Sequence, residues 1–340
     1  MTFLLCYNVH GVTSADELPP WKGLRLLTFI NESTDPFYNQ AFEEFVFENY
    51  AGDDVFYLWQ NRPAIVVGCY QNICREVNVH ALRRRGVPVV RRMTGGGTVY
   101  HDLGNLNYSF MLRADGALDY DHFLDPVIAA LNRMGIPAHK NRSCDIAIGD
   151  RKISGSAQKA AGGRILHHGT LLFESDLASL DAFTARAKND AFQTKGTLSA
   201  ICTVTNIRDH LSEAMTIADF RSRLLAEVLP ANHVCMELTD EQRAQVRKLR
   251  NEKYRSWDWT WGKTPSFSYE RAGSFAGHPL HVAYKAKKGI LSDAVIESPF
   301  IDAERAAHLL NGSRLDPDSL QKICFALAGE RAGELMELLI

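Results

Sequence analysis

The sequence predicts an α+β fold in two units joined near residue 250, and three observations carry that reading. At 340 residues the chain is long enough for about two domains of ~150 residues each. Short runs with strand character are interleaved with runs at helical spacing. Composition changes after Arg250, where three of the five tryptophans crowd into Trp257, Trp259 and Trp261. The expected division is an N-terminal extension over 1–23, a larger α+β unit over 24–250, and a small α+β unit over 251–340.

The elements follow in order. Residues 1–23 show no period and contain Pro19-Pro20, which marks an irregular extension. A strand is expected over 24–30. Asp35 followed by Pro36 predicts an N-cap and first helical position, and Phe37, Ala41, Phe42, Phe45 and Asn49 give that helix one mostly apolar face. Strand-like runs over 55–59 and 64–68 are joined by a turn at Asn61-Arg62-Pro63. A short helix over 79–85 stops at Gly86, where glycine suits a left-handed cap. Further strands are expected over 87–92, 105–112 and 165–173, with a helix over 123–134 closed by Gly135. Residues 144–156 predict a hairpin about Gly149-Asp150, and 206–250 reads as mostly helical. Three strands (267–275, 279–286, 289–296) and two helices (301–310, 316–328) complete the smaller unit, with the tryptophan cluster as its inner face.

Composition excludes several classes. Hydrophobic residues make up 46% and charged residues 23% of the chain, which rules out disorder and fibrous repeats. The formal net charge of −2 supplies no global field toward nucleic acid or an anionic membrane, so a bound anion needs a local site. Seven scattered cysteines without CxxC spacing predict reduced thiols and a cytoplasmic protein. No apolar run approaches the ~18 residues of a membrane span, and the N-terminus lacks the charged start of a signal peptide. Neither GxxxxGK[ST] nor a strand-to-helix GxGxxG is present.

The densest candidate for chemistry is Arg91-Arg92-Met93-Thr94-Gly95-Gly96-Gly97-Thr98-Val99-Tyr100-His101-Asp102. Three glycines after a strand suit a turn at positive φ or close approach of a ligand to the backbone. Their N–H groups can form an anion nest, with arginine adding a forked charge. In the hairpin, a two-residue Gly149-Asp150 turn pairs Ala147 with Lys152 and Asp145 with Ser154. Alternation then puts Asp145, Ala147, Lys152 and Ser154 on one face, with Asp145 ~7 Å from the ammonium. The same register sends Cys144 to the opposite face as a packed thiol. His167 and His168, adjacent in a strand, face opposite ways: one is expected in the core and one on a site wall.

RRMTGGGTVYHDLGNLNYSF, DIAIGDRKISGSAQ, HHGTLLF and KGTLSA-x3-VTN together resemble the lipoate-protein ligase family, as do DPFYNQAFEE near the start and W-x-W-x-x-G at Trp257–Gly262. The resemblance implies a mixed-sheet catalytic domain of the biotin/lipoate ligase type and a small α+β C-terminal accessory domain. It implies Mg2+-ATP activation of lipoate to lipoyl-AMP, then transfer to a lysine of a carrier: a lipoyl domain of a 2-oxoacid dehydrogenase E2 subunit, the glycine-cleavage H protein, or both. A monomer is expected, with no nucleic-acid or membrane partner. Carried over by motif, Arg92, Gly95, Gly96, Gly97, Thr98, Val99 and Tyr100 would bind ATP or lipoyl-AMP. Lys152 would be catalytic and touch both the lipoyl carboxylate and the α-phosphate, Asp145 would help hold Mg2+, and His101 and His168 would line the lipoate pocket.

Two departures stand out. Many members have Asn-Asp where this chain has Cys144-Asp145, and arginines where it has Ile201 and Thr203. The first raises the alternative of a related acyltransferase using Cys144 as nucleophile on octanoyl groups, and the second that of a non-catalytic carrier-binding homologue. The C-terminal unit and the KG…VTN segment favour the ligase, because the transferases generally lack both.

Overall fold

The computed structural model describes residues 26–113, 119–184, 191–200 and 202–340. The expected extension over 1–23 and Ile201 lie outside the described residues.

The central layer is an eight-stranded mixed sheet. Its strands are β1 (Leu26–Phe29), β2 (Asp54–Trp59), β6 (Asn105–Arg113), β7 (Ala138–Lys140), β8 (Asp145–Ile148), β9 (Arg151–Ala161), β10 (Arg164–Leu172) and β12 (Val234–Met236), in the order β12-β1-β2-β6-β10-β9-β8-β7. The pairs β12/β1 and β1/β2 are parallel, and the rest are antiparallel. Both faces are covered. Phe56, Leu58, Leu106, Tyr108 and Phe110 meet the helices Asp121–Arg133 and Ile217–Val228, whereas Val55, Tyr57, Trp59 and Met111 meet Pro36–Asn49 and Asp240–Leu249. Alternating side chains thus feed two cores, and the central strands read as continuous apolar runs.

The turn at 61–63 does not close a hairpin. It hands the chain to a second sheet in which β3 (Ala64–Val67) lies between β4 (Val89–Arg91) and β5 (Val99–His101), parallel to the first and antiparallel to the second. A third sheet, antiparallel throughout, orders β11 (Phe192–Thr194), β13 (Phe267–Phe275), β14 (His278–Lys287) and β15 (Ile290–Glu297). Its edge strand β11 comes from well before residue 250. Ile65, Val67, Ile73, Val79, Leu82, Tyr100 and Phe183 also share one apolar core with residues 267–340.

The helix expected from Asp35-Pro36 is present, with the Asp35 carboxylate accepting from the Phe37 N–H. Gly86 and Gly135 take φ of 64° and 80° and close the helices before them. The run over 206–250 conceals the strand β12, and an added helix, Ala332–Leu339, follows the two expected near the C-terminal end. The helix Asp240–Leu249 continues into a wide turn at Arg250–Tyr254 that docks on Pro36–Asn49, where Lys253 Nζ and Tyr254 Oη both reach the Glu44 carboxylate. The tryptophans differ from expectation. None of Trp257, Trp259 and Trp261 is fully buried. They sit on one helical turn and serve different neighbours: Trp259 donates to the Arg91 carbonyl (2.7 Å), Trp261 joins the shared core, and Trp257 lies against Gly289 and Arg314.

Candidate active site

The floor of the site is built from two small residues on one face of β9. A β-bulge between Ile146 and Ala147 shifts the hairpin register, so Asp145 pairs with Gly155 and Ile146 with Ser154 instead of the expected Asp145–Ser154. This corrects the predicted face. Ser154 turns into the fold, fully buried, and Asp145 stands over Gly155. The Lys152 ammonium fills the space that a Cβ at Gly155 would take, and Nζ contacts Asp145 Oδ1 at 2.7 Å. Asp145 is therefore a direct ion-pair partner and not a carboxylate ~7 Å away.

Two residues further along β9, Ala157 supports the glycine loop, its Cβ lying 3.4 Å from where a Cβ on Gly96 would stand. Gly96 takes φ of 80°. Its carbonyl lies so close to Gly68 that a Cβ there would be 2.2 Å away, so the two loops touch backbone to backbone. The Thr94 carbonyl accepts from Cys69 N–H (2.8 Å). Among the described residues no hydrogen bond occupies the N–H groups of Gly95, Gly96 or Gly97, which leaves three successive donors for an anion.

Arg92 is placed differently from expectation. Its guanidinium does not stand free beside the loop but is buried, donating from Nε to Thr94 Oγ1 (2.9 Å) and Gly95 O (3.1 Å) and from Nη2 to Gly95 O and Gly97 O (2.7 Å to the latter). Burial lowers its pKa to about 10, still above neutral pH, so the charge is kept. Arg91, fully buried, donates to the carbonyls of Gly68, Cys69, Gln71 and Thr260 and to Thr264 Oγ1, clamping the 68–71 loop to the segment after residue 250. The Tyr100 ring also turns away from the loop and packs on Phe183 (5.4 Å between centroids), where burial pushes its phenol up to about 12.

The histidines divide between faces as alternation requires. His167 is core, stacked on Phe123 (4.7 Å) and bonded to Gln158, and burial holds its pKa well below the ordinary value. His168 is on the site face, with Nδ1 2.9 Å from both Glu43 carboxylate oxygens and Nε2 2.8 Å from Thr94 Oγ1. His101 packs edge-on against Trp59 and accepts from Asn61 at Nδ1 (2.9 Å). Its Nε2 has no partner among the described residues. Burial, with Arg92 and His168 nearby, lowers its pKa to about 3, so it is neutral across the physiological range.

Cys144 is not the packed core thiol that the simple register implied. It is half-buried at the site's edge, with Sγ 3.6 Å from Asp145 Oδ1. Burial, then the Asp145 charge, push the thiol pKa up, which opposes the thiolate a nucleophile needs.

One segment crosses the whole site. β11 pairs with β13, and Ser199 Oγ accepts from the Thr98 N–H (2.8 Å) and from Gln71 (3.0 Å) while donating to the buried Glu76 carboxylate. Val204 then lies beside Lys152, with Lys152 N–H donating to Thr203 O (2.9 Å) and Thr205 N–H to Lys152 O (3.0 Å). Thr203 itself is exposed. The sequence reading assigned no role to Glu43, Gln71, Glu76, Ser199 or Arg91. A signal for Glu43 was available, since Asn39 and Glu43 form a polar i,i+4 stripe on a helix that is buried nearly all round.

No group of three or more His, Cys, Asp or Glu side chains converges to hold a metal ion among the described residues. Asp145 offers one carboxylate, a donor set that suits Mg2+ shared with substrate phosphates and not an all-protein cage. No helix among the described residues is long and apolar enough to cross a membrane.

Comparison with known proteins places the chain in a family. Residues 35–229 match the lipoyl protein ligase A/B catalytic domain. The chain is 35% identical over 292 residues to the lipoate-protein ligase LplJ of Bacillus subtilis (strain 168), covering 83% of this chain and 88% of that one. It shares a fold with the bi-partite lipoate protein ligase of Thermoplasma acidophilum, described with its E2 lipoyl domain (TM-score 0.60, 21% identity, 70% of this chain and 96% of that one). It also shares a fold with a lipoate-protein ligase A bound with ATP (TM-score 0.58, 24% identity, 69% and 97%). The chain belongs to the lipoate-protein ligase family, and its activity is that of an enzyme joining lipoate to protein.

Proposed function

We propose that the enzyme works in two steps at the Lys152–glycine-loop site. In the first, a lipoate carboxylate oxygen attacks the α-phosphorus of ATP, giving lipoyl-AMP and releasing pyrophosphate. In the second, the neutral amine of a carrier lysine attacks the acyl carbon and AMP departs. The observation that carries this reading is the placement of the Lys152 ammonium over Gly155, two residues along β9 from Ala157 and the glycine loop it supports, whose three N–H groups have no hydrogen-bond partner among the described residues. Attack of one anion on another is slow in water, and a fixed cation between carboxylate and α-phosphate, with oriented dipoles on the phosphates, stabilises the crowded transition state.

Gly95, Gly96 and Gly97 would contact phosphate oxygens through their N–H groups. Thr98, Val99 and Tyr100 would shape the nucleotide side through the backbone, since the Tyr100 ring is committed to Phe183. Arg92 would act on the nucleotide through the loop carbonyls it holds. His101 and His168 would wall the lipoate pocket. Asp145 would hold Mg2+, which when bound offsets the charge of the pyrophosphate leaving group. The 192–205 segment would exclude water from the hydrolysable mixed anhydride.

The acceptors would be lipoyl domains of 2-oxoacid dehydrogenase E2 subunits, the glycine-cleavage H protein, or both. The chain would act as a cytoplasmic monomer with 24–250 as catalytic and 251–340 as accessory region. The test is pyrophosphate release by the purified protein with a lipoyl domain as acceptor. Release is expected to require both ATP and lipoate, and one lysine of the acceptor is expected to gain a lipoyl group. Acyl transfer without ATP would overturn the proposal.

A further inference from the structure

Glu43 is a carboxylate with no solvent exposure, and nothing in packing the helix Pro36–Asn49 requires it. Burying such a group is costly, and a fold that needed only volume there would gain stability from an apolar residue. Its contacts form one directional chain. Trp59 Nε1–H donates to Ser109 Oγ (2.9 Å) and Ser109 O–H donates to Glu43 (2.7 Å). On the other side the Arg92 Nε–H donates to Thr94 Oγ1, and Thr94 Oγ1 meets His168 Nε2, whose Nδ1 faces Glu43. With His168 as the Nδ1–H tautomer every donor finds one acceptor: Arg92 to Thr94, Thr94 to His168, His168 to Glu43. With the reversed tautomer, His168 Nε2–H and Arg92 Nε–H both point at Thr94 Oγ1 and the threonine proton has no acceptor.

The far end of this chain is the glycine loop. Arg92 Nη2 holds the Gly95 and Gly97 carbonyls. Because C=O and N–H of a trans peptide point opposite ways, a Gly95 carbonyl turned toward Arg92 turns the Gly96 N–H away from it. The Thr94 carbonyl, held by Cys69, does the same for the Gly95 N–H.

We infer that Glu43 is a positioning residue for nucleotide binding: acting through the His168 tautomer and Thr94, it fixes Arg92 and so aims the glycine-loop N–H groups at the phosphates. His168 is thereby a relay whose two nitrogens are both engaged. This rests on the ligase reading for the identity of the anion.

The test uses the full chain and ATP itself as the probe, with binding measured by calorimetry in the absence of lipoate. Glu43→Gln places an amide donor against His168 Nδ1 and reverses the relay, and Thr94→Val removes its middle hydroxyl without touching the buried carboxylate. Each is expected to weaken ATP binding at least tenfold, and Thr94→Ser is expected to restore wild-type affinity. The double variant is expected to lose no more than the weaker-binding single variant, because both cut one chain. Nitrogen-15 spectra are expected to show His168 as the Nδ1–H tautomer in the wild type. Should Glu43→Gln fail to fold, Thr94→Val and the wild-type spectrum decide the question alone. The inference is overturned by Thr94→Val binding ATP within twofold of wild type, by losses that multiply in the double variant, or by a wild-type Nε2–H tautomer. Wild-type protein that binds ATP yet forms no lipoyl-AMP would sink the ligase reading, with the relay still judged by these affinities. Wild-type protein that does not bind ATP sinks both.

Discussion

Lys152 and Asp145 make their ion pair in the space that a side chain at Gly155 would occupy: Nζ is 2.7 Å from Oδ1 and 2.6 Å from where the missing Cβ would stand. The glycine is thus a spacer that fixes where the ammonium rests. Gly155→Ala would displace only the end of a flexible side chain, so the melting temperature should barely change while adenylate formation falls by roughly tenfold or more, as expected when a reacting group is misplaced by about an ångström. A control lies one strand away. A Cβ at Gly169 would stand 2.4 Å from the fully buried Tyr108 ring, and Gly169→Ala should destabilise by about 1–3 kcal/mol. Paired melts and pyrophosphate assays separate the two effects, and a large drop in stability for Gly155→Ala would contradict the spacer role.

Lys152→Ala should abolish both adenylate formation and transfer, by a factor of about 10² or more, with Lys152→Arg less severe. The fold should persist, since the side chain keeps partial exposure. A loss smaller than about tenfold, or about 1.4 kcal/mol, would remove Lys152 from the chemistry.

Cys144→Ser should retain most lipoylation. The thiol's raised pKa and its contact with Asp145 work against a covalent acyl-enzyme. Intact-mass measurement after incubation with octanoyl donors should show no thioester on the wild type, and an adduct lost on the serine substitution would revive the acyltransferase alternative.

Acid should destabilise the protein through its buried histidines. His101 falls from an ordinary 6.5 to about 3 in the fold, so below pH 6.5 the unfolded chain binds a proton that the native chain refuses. Stability is therefore full above 6.5 and declines as pH drops from 6.5 toward 3, by up to ~1.4 kcal/mol per pH unit for this residue. His167 adds in the same direction. Urea melts between pH 7 and 4 should show the decline, and His101→Gln should reduce its slope. A slope unchanged by that substitution would place the acid sensitivity elsewhere.

Arg91→Met should cost more than about 3 kcal/mol, because it strands several buried carbonyls that each lose a donor. A urea midpoint near that of wild type would show that water or rearrangement satisfies those groups.

Much of this was legible in the sequence because the signals were local. The Asp35-Pro36 cap, the stops at Gly86 and Gly135 and the three C-terminal strands depend on residues close in the chain, and so do the opposed faces of His167 and His168. The losses are of two physical kinds. A one-residue bulge between Ile146 and Ala147 is invisible to alternation yet reverses the face of Ser154 and brings Asp145 onto Lys152. Partnerships across long separations leave no periodic trace: β12 reads as part of a helical stretch, and nothing near Arg91 in the chain shows that it holds the carbonyls of Gly68 and Thr260. Glu43 left only the polar i,i+4 stripe it forms with Asn39, and that stripe does not say which partners the carboxylate meets.

The core shared by residues 65–100 and 267–340 sets an order of events during synthesis. His80 reaches the Met336 carbonyl across 256 positions and Arg83 reaches Gln321 across 238. On a ribosome, the strands beneath the glycine loop emerge long before their packing partners exist. Closing such distant contacts is slow and comes late. The strands beneath the catalytic loop therefore complete their core only after residues 267–340 have been made, and an incomplete nascent chain should not yet consume ATP.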